Sequence, residues 1–458
     1  MSKSFKLNIP EKKLILVLGD FLIVSLMLYF FSYQVIDIDE TTIYYRNIIF
    51  GIGIFYFFSL AYVLNFYYLA AESKYTINIL TKGLVVTSFF VILHVITGIF
   101  LFNVGYWRLN LVIFVTLTPT FILIWRRIFL LLFKFISVPK KVLYIHNNKL
   151  LENKDFYVNV INGNQINTFY QVVSTINLDE FRSEDKDKFI NICNDVEGWV
   201  LDIDTNNKLP EFVEKLMLQS IVEGKEIVTF TSFYENIYEA LPIISHNANE
   251  SCTEILQVQH TRVRYLSRLF SFFVNLCLML FVGVLFISVT PFVYILNLFF
   301  NKGPLFYIQK RIGQFGKEYN IYKFRSMVTD AESSGAKMAT KNDARVTAFG
   351  KILRMFRIDE LPQIISVING DMLFIGPRPE RKIFVDELNK RLPYYNIRHL
   401  IKPGITGWAQ VKYKYGENLQ DSIKKLEFDL YYIKNRSIIL DLRIIFKTIT
   451  TVLFSRGV

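Results

Sequence analysis

The sequence predicts a membrane α-helical bundle of four spans, then a small parallel α/β module, then a mainly α domain fronted by a re-entrant membrane helix. Three observations carry this expectation. The 458 residues are 52% hydrophobic and 16% aromatic, an apolar share above that of ordinary soluble domains. Four apolar runs fill the first third of the chain, and a 32-residue uncharged run extends from Leu269 to Phe300. Composition shifts set off the regions 1–138 and 139–250, with the re-entrant helix following at about 265–300.

The four runs are Leu14 to Ile36, Asn47 to Ala71, Gly83 to Trp107 and Leu109 to Phe133; each approaches the ~20 residues that cross a hydrocarbon core. Lys12 and Lys13 precede the first, Lys74 and Lys82 lie between the second and third, and Arg126, Arg127, Lys140 and Lys141 close the fourth. The loop from Asp37 to Glu40 is acidic instead. The positive-inside rule then puts both ends of the bundle in the cytoplasm. The basic N-terminus leads into the first run with no small-residue cleavage site, which reads as a retained anchor. Asp20, the one carboxylate within a span, reads as packed or snorkelling, with a pathway role as the alternative.

From Lys140 to about Ser245 the chain turns polar, with β-like runs at Val142 to Ile145, Tyr157 to Ile161, Trp199 to Ile203 and Ile227 to Phe230. Helix-like stretches such as PEFVEKLMLQSIVEG separate some of them. Such alternation predicts a parallel sheet. The first strand is followed by HNNKLLENKD rather than a GxGxxG turn. Backbone without those glycines does not approach a pyrophosphate closely, so a degenerate Rossmann-like module serving regulation or assembly is expected.

The run from Leu269 to Phe300 would extend about 48 Å as one straight helix, against a core of roughly 30 Å. Arg262, Arg264 and Arg268 flank one end, Lys302, Lys310 and Arg311 flank the other, and Pro291 lies inside. Basic flanks at both ends put both on the cytoplasmic side, as a helix broken near Thr290-Pro291 would allow. A long, tilted or kinked span is the alternative.

Asp359 and Glu360 stand side by side in RMFRIDELPQIISVINGDMLFIGPRP. Pro362 suits the first turn of a helix through Ile364, Ile365 and Ile368, which would make Asp359 its N-cap and Glu360 a first-turn residue. The helix dipole would then keep Asp359 ionised. Taken alone, the pair reads as capping. Lys323, Arg325, Arg354, Arg357 and Arg378 change that, because guanidinium forks and an ammonium near two carboxylates suit phosphate chemistry. The formal charge of +12 agrees with anionic substrates or headgroups. No basic-aromatic RNA-binding motif is present, so nucleic acid is not an expected partner. Cys193, Cys252 and Cys277 are too widely spaced, and the five histidines too poorly placed, for a disulfide scaffold or a zinc site.

The blocks DELPQ, NGDM-x-F-x-GPRP and KPGITGWAQV stand in the order and spacing of the monotopic phosphoglycosyl transferases, the bacterial sugar transferase family. Residues 262 to 458 resemble that family, and the spans and α/β module before them look like its long form, the undecaprenyl-phosphate glucose or galactose phosphotransferases. The resemblance implies a polyprenyl-phosphate hexose-1-phosphate transferase in the bacterial inner membrane, multi-pass, with its catalytic domain facing the cytoplasm. Its expected partners are a UDP-sugar, undecaprenyl phosphate, membrane lipids and a second copy of the chain. Asp359 would attack the β-phosphorus of the UDP-sugar, Glu360 would bind Mg2+, Lys323, Arg354 and Arg378 would contact phosphate, and Pro291 would break the re-entrant helix. Thr290 replaces the serine many relatives carry before that proline, and KYKYG follows KPGITGWAQV where many continue NGRN, which puts Lys414 at a frequent arginine position. A glycosyltransferase that releases UDP and a non-catalytic assembly scaffold are the rival readings.

Other residues carry plainer expectations. His399 reads as packed or surface, Gly404 and Gly407 as turn residues, and Asp371 as part of an NG turn rather than a metal ligand. DLRIIFKTITTVLF reads as an amphipathic helix, at the membrane surface or packed on the core.

Overall fold

A computed structural model describes residues 9–33, 40–63, 76–102, 108–134, 140–146, 170–180, 186–203, 209–243, 264–301, 303–329, 331, 343–392, 394–413 and 419–453. The strand expected at 157–161 and Lys414 lie outside these residues. The chain forms two compact units, 1–230 and 231–458.

In the first unit the apolar runs form helices α1 (Ile9–Tyr33), α2 (Glu40–Val63), α3 (Thr76–Phe102) and α4 (Arg108–Lys134). Within α4, Leu111–Phe129 is long and apolar enough to cross a membrane; Leu14–Phe30, Phe50–Tyr62 and Gly83–Thr97 are shorter apolar stretches. Asp20 does not snorkel. Its carboxylate accepts from Arg126 Nη2 at 3.0 Å with both side chains buried, so α1 and α4 carry a paired charge between them. Trp125 Nε1 donates to the Leu16 carbonyl at 3.3 Å, and a Cβ at Gly19 would fall 2.1 Å from the Trp125 ring, so only glycine lets the two helices meet there.

The predicted small parallel α/β unit is present. Strands β1 (Lys140–His146), β2 (Tyr170–Asn177), β3 (Gly198–Asp202) and β4 (Glu226–Thr229) form a parallel sheet in the order β2-β1-β3-β4. Helices α5 (Lys186–Asp195) and α6 (Glu211–Val222) alternate with the strands. The core gathers Leu143, Ile145, Phe189, Cys193, Trp199 and Val213, with Phe189 edge-on to Trp199 at 5.9 Å. Helix α7 (Phe230–Tyr238) follows β4 without a loop.

The second unit is largely helical. Helix α8 (Arg264–Phe300) contains the apolar stretch Ser271–Phe300, the second one long enough to cross a membrane, and Phe272, Phe281, Ile287, Phe292 and Phe299 are exposed on it. Pro291 does not end this helix: the α-helical conformation continues to Phe300, and Thr290 Oγ1 donates to the Phe286 carbonyl at 2.6 Å. A proline deletes one rung of the ladder, and helical residues on both sides keep the rest. Pro291 thus does not divide the helix into two; inside a helix a proline bends the axis rather than ending it.

An antiparallel hairpin follows, β5 (Phe306–Ile312) with β6 (Glu318–Phe324), pinned by Phe306 stacked on Phe324 at 5.5 Å. Then come α9 (Ala348–Met355), a 3-10 turn (Ile358–Gln363), α10 (Ile364–Ile368), β7 (Leu373–Ile375) and α11 (Lys382–Arg391). Strand β8 (Gly404–Thr406) pairs parallel with β7, and α12 (Trp408–Lys412), α13 (Leu419–Lys434) and α14 (Ile438–Leu453) complete the unit. Leu440 and Ile444 put one face of α14 into a core with Phe374, Ile375, Trp408 and Tyr432, which gives the amphipathic pattern a packing role.

Candidate active site

The carboxylate pair is positioned by a turn that the sequence does not announce. Arg357 adopts φ +53°, a left-handed conformation that costs a non-glycine residue energy, and it starts the 3-10 turn rather than an α-helix. Asp359 and Glu360 therefore sit inside that turn, both buried. Asp359 is not an N-cap, Pro362 belongs to the 3-10 turn, and the helix that follows has only five residues, with no side-chain cap. So short a helix offers little dipole, and the ionisation of the pair is set by neighbours instead.

Those neighbours converge from distant segments. Lys323 shares the inner face of β6 with Tyr319 and Ile321 at two-residue spacing, which aims its ammonium inward. Its Nζ lies 3.4 Å from Glu360 Oε1, Arg378 Nη2 lies 3.2 Å from the same oxygen, and Arg357 Nη1 lies 3.2 Å from Oε2. Burial alone would raise the Glu360 carboxyl; Arg378, Lys323 and Arg357 outweigh it and hold the group well below the usual carboxylate range. Burial and the adjacent Glu360 push Asp359 the other way, up to about 6. Lys323, Arg354 and Arg378 oppose that rise. Asp359 makes no hydrogen bond or ion pair through its carboxylate among the described residues. One carboxylate is thus anchored and permanently charged, while its neighbour is unengaged and ionised at neutral pH.

Arg354 reaches the site from the last turn of α9, where its Nε donates to Ser326 Oγ at 2.9 Å. Thr347 caps this helix by accepting from the Gly350 amide at 2.9 Å. Arg325 serves elsewhere: its Nε donates to the Pro304 carbonyl at 3.0 Å.

Arg378 is delivered by a turn whose carbonyls are tied one by one. Gly404 N donates to Pro377 O at 3.0 Å, Arg398 Nη2 to Arg378 O at 2.8 Å, Arg311 Nη1 to Pro379 O at 3.3 Å and Ile312 N to Glu380 O at 2.9 Å. Arg398 is itself buried, paired with Asp429 at 2.8 Å and bonded to the Tyr395 hydroxyl. The Arg378 side chain remains 41% exposed, so it can meet a ligand while its backbone is fixed. Arg311, Arg357 and Arg398 matter here beyond the phosphate contacts expected at Lys323, Arg354 and Arg378. His399, beside Arg398, is packed as expected: it is buried edge-on to Tyr395, and burial followed by Arg398 lowers it to about 4. Asp371 follows Gly370, at φ +78°, in the expected turn.

Three features thus stand together: a 3-10 turn with two carboxylates, an inward lysine and a proline-flanked arginine. The family described as Bacterial sugar transferase matches residues 263–455, which contain all of them. The chain is 49% identical over 157 residues to the UDP-N-acetylgalactosamine-undecaprenyl-phosphate N-acetylgalactosaminephosphotransferase of Aeromonas hydrophila, a match covering 34% of this chain and 37% of that protein. It is 46% identical over 156 residues to the UDP-glucose:undecaprenyl-phosphate glucose-1-phosphate transferase of Xanthomonas campestris pv. campestris, covering 33% and 32%. The exopolysaccharide production protein PSS of Rhizobium leguminosarum bv. phaseoli is 39% identical over 166 residues, covering 34% of this chain and 81% of the relative. The chain belongs to the bacterial sugar transferase family. It spans about a third of the length of the first two relatives. With its two long apolar helices, this bacterial sugar transferase is a membrane protein.

The donor set of this sugar transferase bears on magnesium. Among the described residues no group of three His, Cys, Asp or Glu side chains could cage a metal. Magnesium does not need one, since it is commonly held by one or two carboxylates together with substrate phosphates and water. Both Glu360 oxygens face cations in this arrangement, so Asp359 is the carboxylate of the pair left open toward an ion that arrives with a diphosphate.

Proposed function

We propose that the chain is a polyprenyl-phosphate hexose-1-phosphate transferase, which moves a sugar-1-phosphate from a UDP-sugar to undecaprenyl phosphate, releases UMP and initiates exopolysaccharide or capsule repeat units. The observation that carries this reading is the division within the carboxylate pair: Glu360 held by three cations, Asp359 ionised and unengaged beside it. An Asp359 oxygen attacks the β-phosphorus of the UDP-sugar. The bond from that phosphorus to the oxygen bridging the two phosphoryl groups breaks, UMP leaves with the electron pair, and Asp359 carries the phosphosugar as an acyl phosphate. An oxygen of the lipid phosphate then attacks the same phosphorus and returns the carboxylate. Lys323, Arg354 and Arg378 hold the phosphoryl oxygens throughout, Arg378 as a planar fork and Lys323 as a point charge. Glu360 would hold a magnesium ion in exchange for one of its cation contacts, and that ion would supply charge neutralisation on the diphosphate.

A UMP-release assay with a panel of UDP-sugars and undecaprenyl phosphate tests this reading. UMP is the expected product. UDP in its place would make the chain a glycosyltransferase, and no nucleotide from any donor would favour the scaffold.

The same proposal has α1 to α4 crossing the bacterial inner membrane, the catalytic unit on the cytoplasmic side and a homodimer as the working assembly. It also has α8 entering and leaving by one leaflet. Two contacts support this last point. Ser271 Oγ bonds Asp441 at 3.1 Å near the start of α8, and Asn301 Nδ2 donates to the Arg325 carbonyl at 2.6 Å just past its end. Val293 packs between them with Phe324, Phe349 and Leu353. A helix across the bilayer could not keep both ends on one polar unit without drawing that unit's charges into lipid. Ser267→Cys and Lys302→Cys, each in a chain whose three native cysteines are replaced, should label from the same side of sealed vesicles. Labelling from opposite sides would rule the re-entrant arrangement out.

A further inference from the structure

The second compact unit begins at Thr231, well before the family match at residue 263. Its opening segment, 231–243, is fastened along α12, α13 and α14 by a succession of specific contacts. Tyr234 Oη donates to Glu427 Oε2 at 2.8 Å and accepts from Lys424 Nζ at 2.6 Å. Glu235 pairs with Lys434 at 2.6 Å, and the Leu241 amide donates to the Glu427 carbonyl at 2.9 Å. The Leu241 side chain is buried with Leu426, Leu430 and Tyr395. A cut at residue 250 would remove all of this.

Glu239 is the centre of the strap. It holds φ +53°, a conformation that persists in a non-glycine residue only where the surroundings impose it. Its buried carboxylate pairs with Lys412 and, at 3.3 Å, with Arg443, and its carbonyl accepts from Trp408 Nε1 at 2.9 Å. Lys412 and Lys447 lie over the Trp408 ring, 4.8 and 4.6 Å from its centre. Glu239 thus pairs its one negative charge with Lys412, which also lies over the buried Trp408 ring, and with Arg443.

Trp408 follows directly on the backbone that supports Arg378. Gly376 N donates to Thr406 O at 2.9 Å and Gly404 N to Pro377 O at 3.0 Å. A Cβ on Gly407 would lie 2.2 Å from the Gly376 carbonyl oxygen, so these two strands touch backbone to backbone with no room to slide. Arg378 is two residues beyond Gly376. We propose that the strap 231–243, outside the family-matched stretch, is a positioning element of the transferase site: Glu239, through Trp408 and Lys412, holds β8 in the register that aims Arg378 at Glu360 and the donor diphosphate. This inference rests on the phosphoglycosyl transfer reading for its consequence in catalysis, and on the contacts alone for its consequence in structure.

The test uses the full-length chain carrying Glu239→Gln, Glu239→Ala or Trp408→Phe, with amide hydrogen exchange and UMP release measured together. Loss of one charge-assisted tie is worth about a factor of ten. Exchange at Gly376 and Gly404 is therefore expected to rise about tenfold in all three variants, with exchange in β1 to β4 and in the hairpin β5–β6 unchanged. The kcat for UMP release should fall by about tenfold or more, while KM for the UDP-sugar moves less. Unchanged exchange at Gly376 and Gly404 would overturn the proposal. So would a rise spread evenly over the whole unit, which would mark the strap as a general stabiliser, or local loosening with an unaltered kcat. A parent chain that releases no UMP would remove the transferase reading instead and leave the exchange result to stand on its own.

Discussion

Asp359→Asn is expected to abolish phosphosugar transfer, with a fall in kcat of about four orders of magnitude or more, as is usual when the nucleophile of a covalent mechanism is removed. Asparagine keeps the size and shape of the side chain, so the 3-10 turn and the ion pairs of Glu360 should survive. Intact mass of the parent chain incubated with donor alone should reveal a phosphosugar adduct, and the variant should carry none. Turnover in Asp359→Asn within tenfold of the parent would exclude Asp359 as nucleophile. The raised pKa adds a second signature. With its carboxyl at about 6, Asp359 loses its nucleophilic form as pH falls through 6, whereas an ordinary aspartate would remain ionised well below pH 5. The rate in the parent should therefore decline on the acid side with a midpoint near 6.

How far the sequence could be read depended on the range of the interaction involved. Strands β1, β3 and β4 overlap the β-like runs Val142 to Ile145, Trp199 to Ile203 and Ile227 to Phe230, which are rich in apolar residues and bounded by polar ones. Strand β2 was missed. Its YQVVSTIN interrupts the apolar residues with Gln171, Ser174 and Thr175 and so lacks an unbroken apolar run. Its register against β1 also slips between Val142 and Leu143. Pro362 and Pro291 were read by their commonest local meaning, a helix start and a helix break. The left-handed Arg357 makes Pro362 part of a 3-10 turn, and Pro291 stands within a helix whose conformation continues through it.

Within the site, residue types were legible and geometry was not. That carboxylates and cations belong together follows from composition, but which cation meets which oxygen depends on β6 and the Pro377–Pro379 turn arriving from 37 and 18 residues away. Arg398 and Glu239 act on backbone and on buried tryptophan, and nothing in RHLIKPG or YENIYEALP distinguishes them from ordinary charged residues. Glu239 also precedes the family-matched stretch, so the motifs that made the site recognisable could not point to it.

Glu360→Gln separates the electrostatic role of the second carboxylate from a purely structural one. The wild-type charge faces Lys323, Arg357 and Arg378 within 3.4 Å. A neutral amide leaves the inward Lys323 without its charged partner, while the partly exposed Arg357 and Arg378 turn to water, which together costs about 1–3 kcal/mol of stability. The melting temperature in detergent should fall accordingly. Maximal transfer should drop about 10²- to 10³-fold, the usual effect of losing one preorganised charge at a phosphoryl group. The decisive readout is the acid limb. Glu360 raises the Asp359 pKa by repulsion, second only to burial, while Lys323, Arg354 and Arg378 lower it. Removing the repulsion, and freeing Lys323 and Arg378 from their partner, both favour ionised Asp359, so the residual activity should persist to lower pH than in the parent. A variant that is less stable and slower yet keeps its acid limb near 6 would show that Glu360 braces the turn without setting the charge of its neighbour.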